Sequence, residues 1–267
     1  MQEPAIRVSR EGDVAIAIFN RPERLNPLSV EFQARLREIL ADISADRTVR
    51  ALVLTGEGKG FCVGADLSSM SPVEGDPRST GERVAAMMDN LTNPLVLDLL
   101  ALPVPVVCAV NGAAAGAGVG LARAADVTIA ARSAYFYLPF IPRLGIVPDM
   151  GLTSFLLSRI GHARAMGLTL LGDRLSGEQA AQWGMVWACT DDASLRADAI
   201  SLAQRLVRLP AHGALESRRA YASAAANPMV EQLKYERDRQ RFLIDLPEFA
   251  EGVRAFSEKR EPCFEGR

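Results

Sequence analysis

Residues 104–122 read VPVVCAVNGAAAGAGVGLA. The first seven, Val104 to Val110, form an apolar run with Pro105 near its start, the pattern of a buried strand. Small residues from Gly112 to Gly118 follow, and the run continues through Ala122 in residues that suit a helix. The segment therefore predicts a strand, a tight turn and a helix whose first N–H groups point at one place. It is not a dinucleotide fingerprint, because position 121 is Leu121 where GxGxxG needs glycine. A second glycine-rich stretch, Thr55 to Leu67 (TGEGKGFCVGADL), also follows an apolar run, Ala51 to Thr55. It fails the same test at Phe61, and Gly58-Lys59 is followed by Gly60 rather than the Ser or Thr of a phosphate-binding loop. Two places remain where backbone can approach a ligand closely. Tight packing of helix on sheet explains the glycines equally well.

Outward from this segment, strand and helix patterns alternate. Ile6 and Val8, then Val14, Ile16 and Ile18, predict two short strands around Gly12-Asp13. Ser29 is placed to cap a helix whose buried face is Phe32, Leu36, Ile39, Leu40 and Ile43. Val84, Met87, Met88, Leu91, Leu95 and Leu99 keep helical spacing, Val127 to Ala131 is another strand, and Ser176 with Gln179 forms a capping-box signature before Gly184. Such alternation predicts an α/β fold with parallel crossovers. After about Ala193 only helical patterns remain: one near Leu195 to Leu206, then Ala211–Ala225, Pro228–Asp245, and a last one after Pro247. These cannot bury their faces alone and must pack on the core or on another subunit.

Composition sets the outer bounds. The 267 residues are 49% hydrophobic and carry a net charge of −2, which offers no electrostatic footprint for nucleic acid or a membrane surface. Cys62, Cys108, Cys189 and Cys263 are scattered, and His162 and His212 stand far apart, so no zinc spacing exists and no metal is expected. Cys62 and Cys108 read as small buried fillers. No apolar h-region opens the chain and no run is long enough to span a bilayer, so the expectation is a soluble, cytoplasmic protein.

Five motifs, in order, resemble the crotonase superfamily of enoyl-CoA hydratases and isomerases. They are Asn20-Arg21-Pro22 with Asn26 and Leu28, Gly60 to Leu67, Asn111-Gly112 through Leu121 with Asp126, Leu144 to Asp149, and Leu171 to Leu175. The resemblance implies an α/β fold with a ClpP-like ββα spiral core over 1–192 and a C-terminal helical region over 193–267, used for oligomerisation and active-site cover. It implies a homotrimer or hexamer, with Leu233, Tyr235 and Phe242 as candidate contacts. It implies an acyl-CoA substrate, with coenzyme A entering as the thioester and no separate cofactor. An oxyanion hole would come from the backbone N–H groups of Ala65 and Ala117. Substrate contacts would come from Arg24, Leu25, Val63, Gly64, Asp66, Leu67, Gly116 and Phe140. Asp66 reads as a loop anchor rather than a base.

The chain departs from the family's hydratases at the two glutamates. Their positions fall on Gly120 and Phe140. Neither residue can activate water or deliver a proton. The remaining acid is Asp149, among Ile141, Ile146, Val147, Met150 and Leu152. Apolar surroundings would raise its pKa toward a useful range. From local sequence alone, Asp149 reads as the N-cap of a helix beginning near Met150. The resemblance instead implies the working acid, since phenylacetate-pathway isomerases and aryl-CoA dehalogenases carry theirs in this P-D-x-G position. One carboxylate suits a double-bond shift in an enoyl-CoA through a dienolate. Two alternatives are a hydratase with unconventional groups and a non-catalytic acyl-CoA-binding protein.

Overall fold

The computed structural model describes residues 3–71, 73–264 and 266. The ends of the expected 1–192 and 193–267 regions, Met1 and Arg267, lie outside them. The strands are β1 (Ile6–Glu11), β2 (Val14–Phe19), β3 (Ala51–Gly56), β4 (Gly60–Cys62), β5 (Val106–Val110), β6 (Ala113–Ala115), β7 (Val127–Ala131), β8 (Tyr135–Tyr137), β9 (Leu175–Ser176) and β10 (Ala188–Thr190). The helices are α1 (Val30–Ala45), α2 (Thr80–Met87), α3 (Asn93–Ala101), α4 (Ala117–Arg123), α5 (Leu152–Leu171), α6 (Gly177–Gln182), α7 (Leu195–Val207), α8 (Gly213–Ala226), α9 (Met229–Ile244) and α10 (Pro247–Glu258).

Two sheets organise the chain. The larger has the order β1-β2-β3-β5-β7-β10, and the smaller β4-β6-β8-β9. Only the hairpins or ends are antiparallel: β1 on β2, and β9 on β8. The pairs β3–β5 and β5–β7, like β4–β6 and β6–β8, are parallel. Successive strand pairs β3/β4, β5/β6 and β7/β8 therefore each give one strand to each sheet before the chain enters helix. This is a repeating ββα spiral, as expected. The sequence reading found the long strands and missed the small sheet, whose strands are two or three residues long and carry no periodicity.

Local rules account for the helix boundaries. Ser29 accepts the Phe32 N–H at 3.1 Å, and the predicted face of α1 is buried. Ser176 likewise accepts from Gln179, and Gly184 takes φ 75° just past α6. The continuous spacing from Val84 to Leu99 is interrupted. A wider π turn over Met88–Thr92 separates α2 from α3, just before Pro94, which cannot donate to a helical bond. Among the described residues no strand follows β10, and α7 lays Leu195, Ala199 and Ala203 across β2, β3, β5 and β7. Asp126 clamps α8 to the large sheet: it takes a two-pronged contact from Arg218 and accepts the Val106 N–H. No helix among the described residues is long and apolar enough to cross a membrane.

Candidate active site

The two glycine-rich segments meet. Asn26 and Asn111, both from motifs of the sequence, staple the turn between β3 and β4. Asn26 is fully buried, donates to the Gly60 and Glu57 carbonyls, and accepts the Arg21 N–H at 2.7 Å. Asn111 donates to the Gly58 carbonyl and accepts the Gly56 N–H. These roles for two asparagines are not legible in the motifs alone, because the turn they hold lies more than thirty residues away from each.

With that turn fixed, β4 runs on into Val63-Gly64-Ala65. Leu28 donates to the Gly64 carbonyl at 2.8 Å, in an isolated parallel bridge to Ala65. Across a planar trans peptide a carbonyl and the N–H that follows it point to opposite sides. The Ala65 N–H therefore points away from Leu28. On that other side is the start of α4. A Cβ at Gly64 would lie 2.8 Å from the Ala115 carbonyl oxygen and 3.0 Å from the Ala117 nitrogen, and Gly64 also has φ 84°. Only glycine permits both the turn and this approach. The Ala117 N–H opens α4, where no preceding turn supplies an acceptor. The Gly116 N–H before it is already spent on the Tyr137 carbonyl.

Around this pair, Phe140 is buried, and the tip of its ring is 3.8 Å from where a Gly116 side chain would start. A position that the resemblance matches to a hydratase glutamate thus holds an aromatic ring beside Gly116. The other, Gly120, lies on α4 against Met150. Arg24 forms an ion pair with Asp66 at 2.8 Å, which gives Asp66 the anchoring role expected and ties the 22–25 turn to the loop after Ala65. Leu25 adopts φ 58° and packs over Gly60, while Leu67 is exposed.

Asp149 stands in the arch between Phe140–Leu144 and α5. The local reading of it as a helix cap is overturned. Helix α5 begins at Leu152 with Gly151 as its N-cap, and no side chain caps it. Asp149 contributes only its backbone carbonyl, which accepts the Leu152 N–H at 2.9 Å. Its carboxylate Oδ1 is buried and has no hydrogen-bond partner among the described residues. Burial pushes the carboxyl up to about 6, against a downward pull from its own backbone N–H. Met150 touches Gly120, which is three residues, or about 4.5 Å of helix axis, from Ala117. The acid and the N–H groups therefore share α4 as their scaffold.

Other candidates fall away from chemistry. Cys62 and Cys108 are buried, and burial pushes the Cys62 thiol up to about 12, so neither is a thiolate at neutral pH. Among the described residues no group of three or more His, Cys, Asp or Glu could hold a metal ion.

On this spiral, α4 begins with the Ala117 N–H and meets the Met150 turn at Gly120. The enoyl-CoA hydratase/isomerase family model matches residues 9–267. The chain belongs to that family. It is 45% identical to the 1,2-epoxyphenylacetyl-CoA isomerase of Escherichia coli over 96% of this chain and 97% of that one. Among solved structures it resembles an enoyl-CoA hydratase from Bacillus anthracis, with a TM-score of 0.88 and 30% identity over 98% of this chain and all of the other. An enoyl-CoA hydratase from Polaromonas gives a TM-score of 0.89 and 29% identity over 97% and 99%. The fold is thus the crotonase fold, and the family acts on acyl-CoA substrates.

Proposed function

We propose that this family member is an acyl-CoA isomerase working with one carboxylate, Asp149. The observation that carries the reading is the Asp149 carboxylate, half-buried, with an Oδ1 that has no hydrogen-bond partner among the described residues and a pKa raised to about 6, in a chain whose positions matching the two hydratase glutamates are Gly120 and Phe140. The thioester carbonyl of a 3-enoyl-CoA sits between the Ala65 and Ala117 N–H groups. These donors hold the charge that develops on oxygen, and the loss of one such donor typically costs about 3 kcal/mol of transition-state stabilisation. Asp149 takes a proton from C2, the electron pair delocalises into a dienolate, and the same carboxyl returns the proton at C4. The base must be ionised to start, and a pKa near the working pH suits both halves of the transfer. Val63, Gly64 and Gly116 form the wall near the carbonyl, Phe140 covers the acyl side, and Arg24, Leu25, Asp66 and Leu67 flank the entrance. Coenzyme A enters with the substrate and no further cofactor takes part. The exposed Leu233 and Phe242 on α9, with Tyr235, are contacts of a homotrimer or a pair of trimers.

A second reading uses the same parts: rearrangement of a ring epoxide in an arylacetyl-CoA. The 45% identity to an enzyme of that name favours it. The test is an absorbance assay for the conjugated thioester, with wild type and Asp149→Asn each given a 3-enoyl-CoA, a 2-enoyl-CoA and a ring-epoxide thioester. Conjugation appearing from the 3-enoyl ester and lost in Asp149→Asn supports the first reading. Turnover of the epoxide alone selects the second. Hydration of the 2-enoyl ester to a 3-hydroxyacyl-CoA, undiminished in Asp149→Asn, sinks both.

A further inference from the structure

No side-chain hydrogen bond among the described residues holds the Asp149 Oδ1, so its position depends on the backbone beneath it. That backbone is left-handed at two successive residues, Met150 at φ 52° and Gly151 at φ 75°. Glycine takes this conformation freely, whereas a residue with a Cβ does so at a cost. Met150 is nevertheless buried, at 2% exposure, and it fits into the space that Gly120 leaves open. A Cβ on Gly120 would fall on the Met150 Cβ, closer than two carbon atoms can sit, and 3.0 Å from the Met150 carbonyl oxygen. Gly120 itself has no left-handed backbone, so its own conformation does not call for glycine. Inside a helix, glycine is a poorer choice than alanine. Two locally unfavourable residues, far apart in sequence, therefore meet in one contact.

We propose that Gly120 and Met150 are positioning residues: the bare face of α4 at 120 seats the Met150 turn, and that seating sets the depth and direction of the Asp149 carboxylate. The inference rests on the reading of Asp149 as the proton carrier. It carries a consequence for the chemistry of the site. A side chain at 120 and the Met150 turn compete for one volume, so an acid at 120 and an acid placed by this arch are alternatives. Restoring a glutamate at 120 would displace Asp149 rather than add a second acid. Burial is the main cause of the raised Asp149 carboxyl, opposed by its own backbone N–H, so its titration reports how deeply the arch is seated.

Two measurements on intact protein test this. The first follows the Asp149 carboxyl directly by carbon NMR of aspartate-labelled protein, assigned with Asp149→Asn, and needs no substrate. The second is steady-state kinetics on whichever thioester the wild type turns over. In Gly120→Ala the added Cβ lifts the turn. We expect kcat to fall about 10²-fold with KM changed less than about threefold. The Asp149 titration should fall from about 6 toward the ordinary carboxylate value near 4 as water reaches it. Gly120→Ala combined with Met150→Gly removes the colliding Cβ and leaves a residue at ease in the left-handed region. This double variant should recover at least about tenfold of the lost kcat. If Gly120→Ala does not fold, a folded and active double variant supports the same coupling. A folded Gly120→Ala with wild-type kcat and an unmoved titration overturns the proposal. So does a double variant whose loss is the product of the two single losses. Activity that survives in Asp149→Asn would instead refute the reading of Asp149, while the titration would still report on the seating.

Discussion

The two halves of the proposed site are built in opposite ways. The N–H pair at Ala65 and Ala117 is backbone, held by the parallel bridge to Leu28, the Asn26 and Asn111 staples and the close approach of Gly64. The proposed acid is a single side chain on an arch, with no hydrogen-bond partner for its Oδ1 among the described residues and an unfavourable backbone beside it. A backbone donor tolerates any side chain that fits, and its strength is built in with the fold. A lone carboxylate has a pKa and a direction that depend on everything packed around it. The first design resists substitution at the functional residue and fails at its neighbours. The second fails at the residue itself.

Asp149→Asn tests the contrast most severely. We expect loss of turnover by about 10³-fold, within the range for removal of a general acid or base. The folded variant should be more stable than wild type at pH 8. The Asp149 pKa is raised on folding, so its favourable contribution is complete below about pH 4 and is lost as pH rises through about 6. Removing the charge should return up to about 3 kcal/mol at alkaline pH and nothing at pH 3, measurable by denaturant unfolding at both pH values. Turnover by the wild type should show the matching kinetic sign. Because the carboxylate must be ionised to accept the first proton, kcat/KM should fall about tenfold per pH unit below about 6.

The backbone half should break at Gly64 rather than at Ala65. Gly64→Ala adds a Cβ against the Ala115 carbonyl and the Ala117 nitrogen at φ 84°. We expect about 10²-fold loss of kcat from a displaced donor, with Asp149 still titrating near 6. Ala65→Gly should keep activity within about threefold, since the N–H is retained. An equal loss in both variants would end the distinction between donor and neighbour. The smallest effect belongs to Arg24→Ala. Its ion pair with Asp66 has the arginine more than half exposed, so the change in stability should stay below about 1 kcal/mol. A larger rise in KM than in instability would assign Arg24 to the thioester rather than to the loop.

Much of this was legible in the residues. Strands such as Val106–Val110, the capped face of α1 and the helical run after Ala193 depend on local propensity and burial pattern, which a linear sequence carries. The resemblance of the motifs, taken in order, puts Gly120 and Phe140 where the family's hydratases carry glutamates. The cap reading of Asp149 failed because left-handed geometry at Met150 and Gly151 delays the helix by two residues, and nothing local announces a methionine in that conformation. The short strands β4, β6, β8 and β9 were hidden for a similar reason: they exist through pairing with one another, and no strand of two or three residues carries its own signal.

The amino-acid sequence by itself determined the spiral α/β class, the family, the small residues at the two N–H positions and the choice of Asp149 as the remaining acid. Each is written in residue type and spacing along the chain. Only the tertiary structure decided that the Asp149 Oδ1 is buried without a hydrogen-bond partner among the described residues, that Gly64 abuts Ala117, and that a side chain at 120 would share one volume with Met150. Desolvation and steric exclusion act between groups the fold brings together, and residues 64 and 117, or 120 and 150, have no relation until the spiral closes.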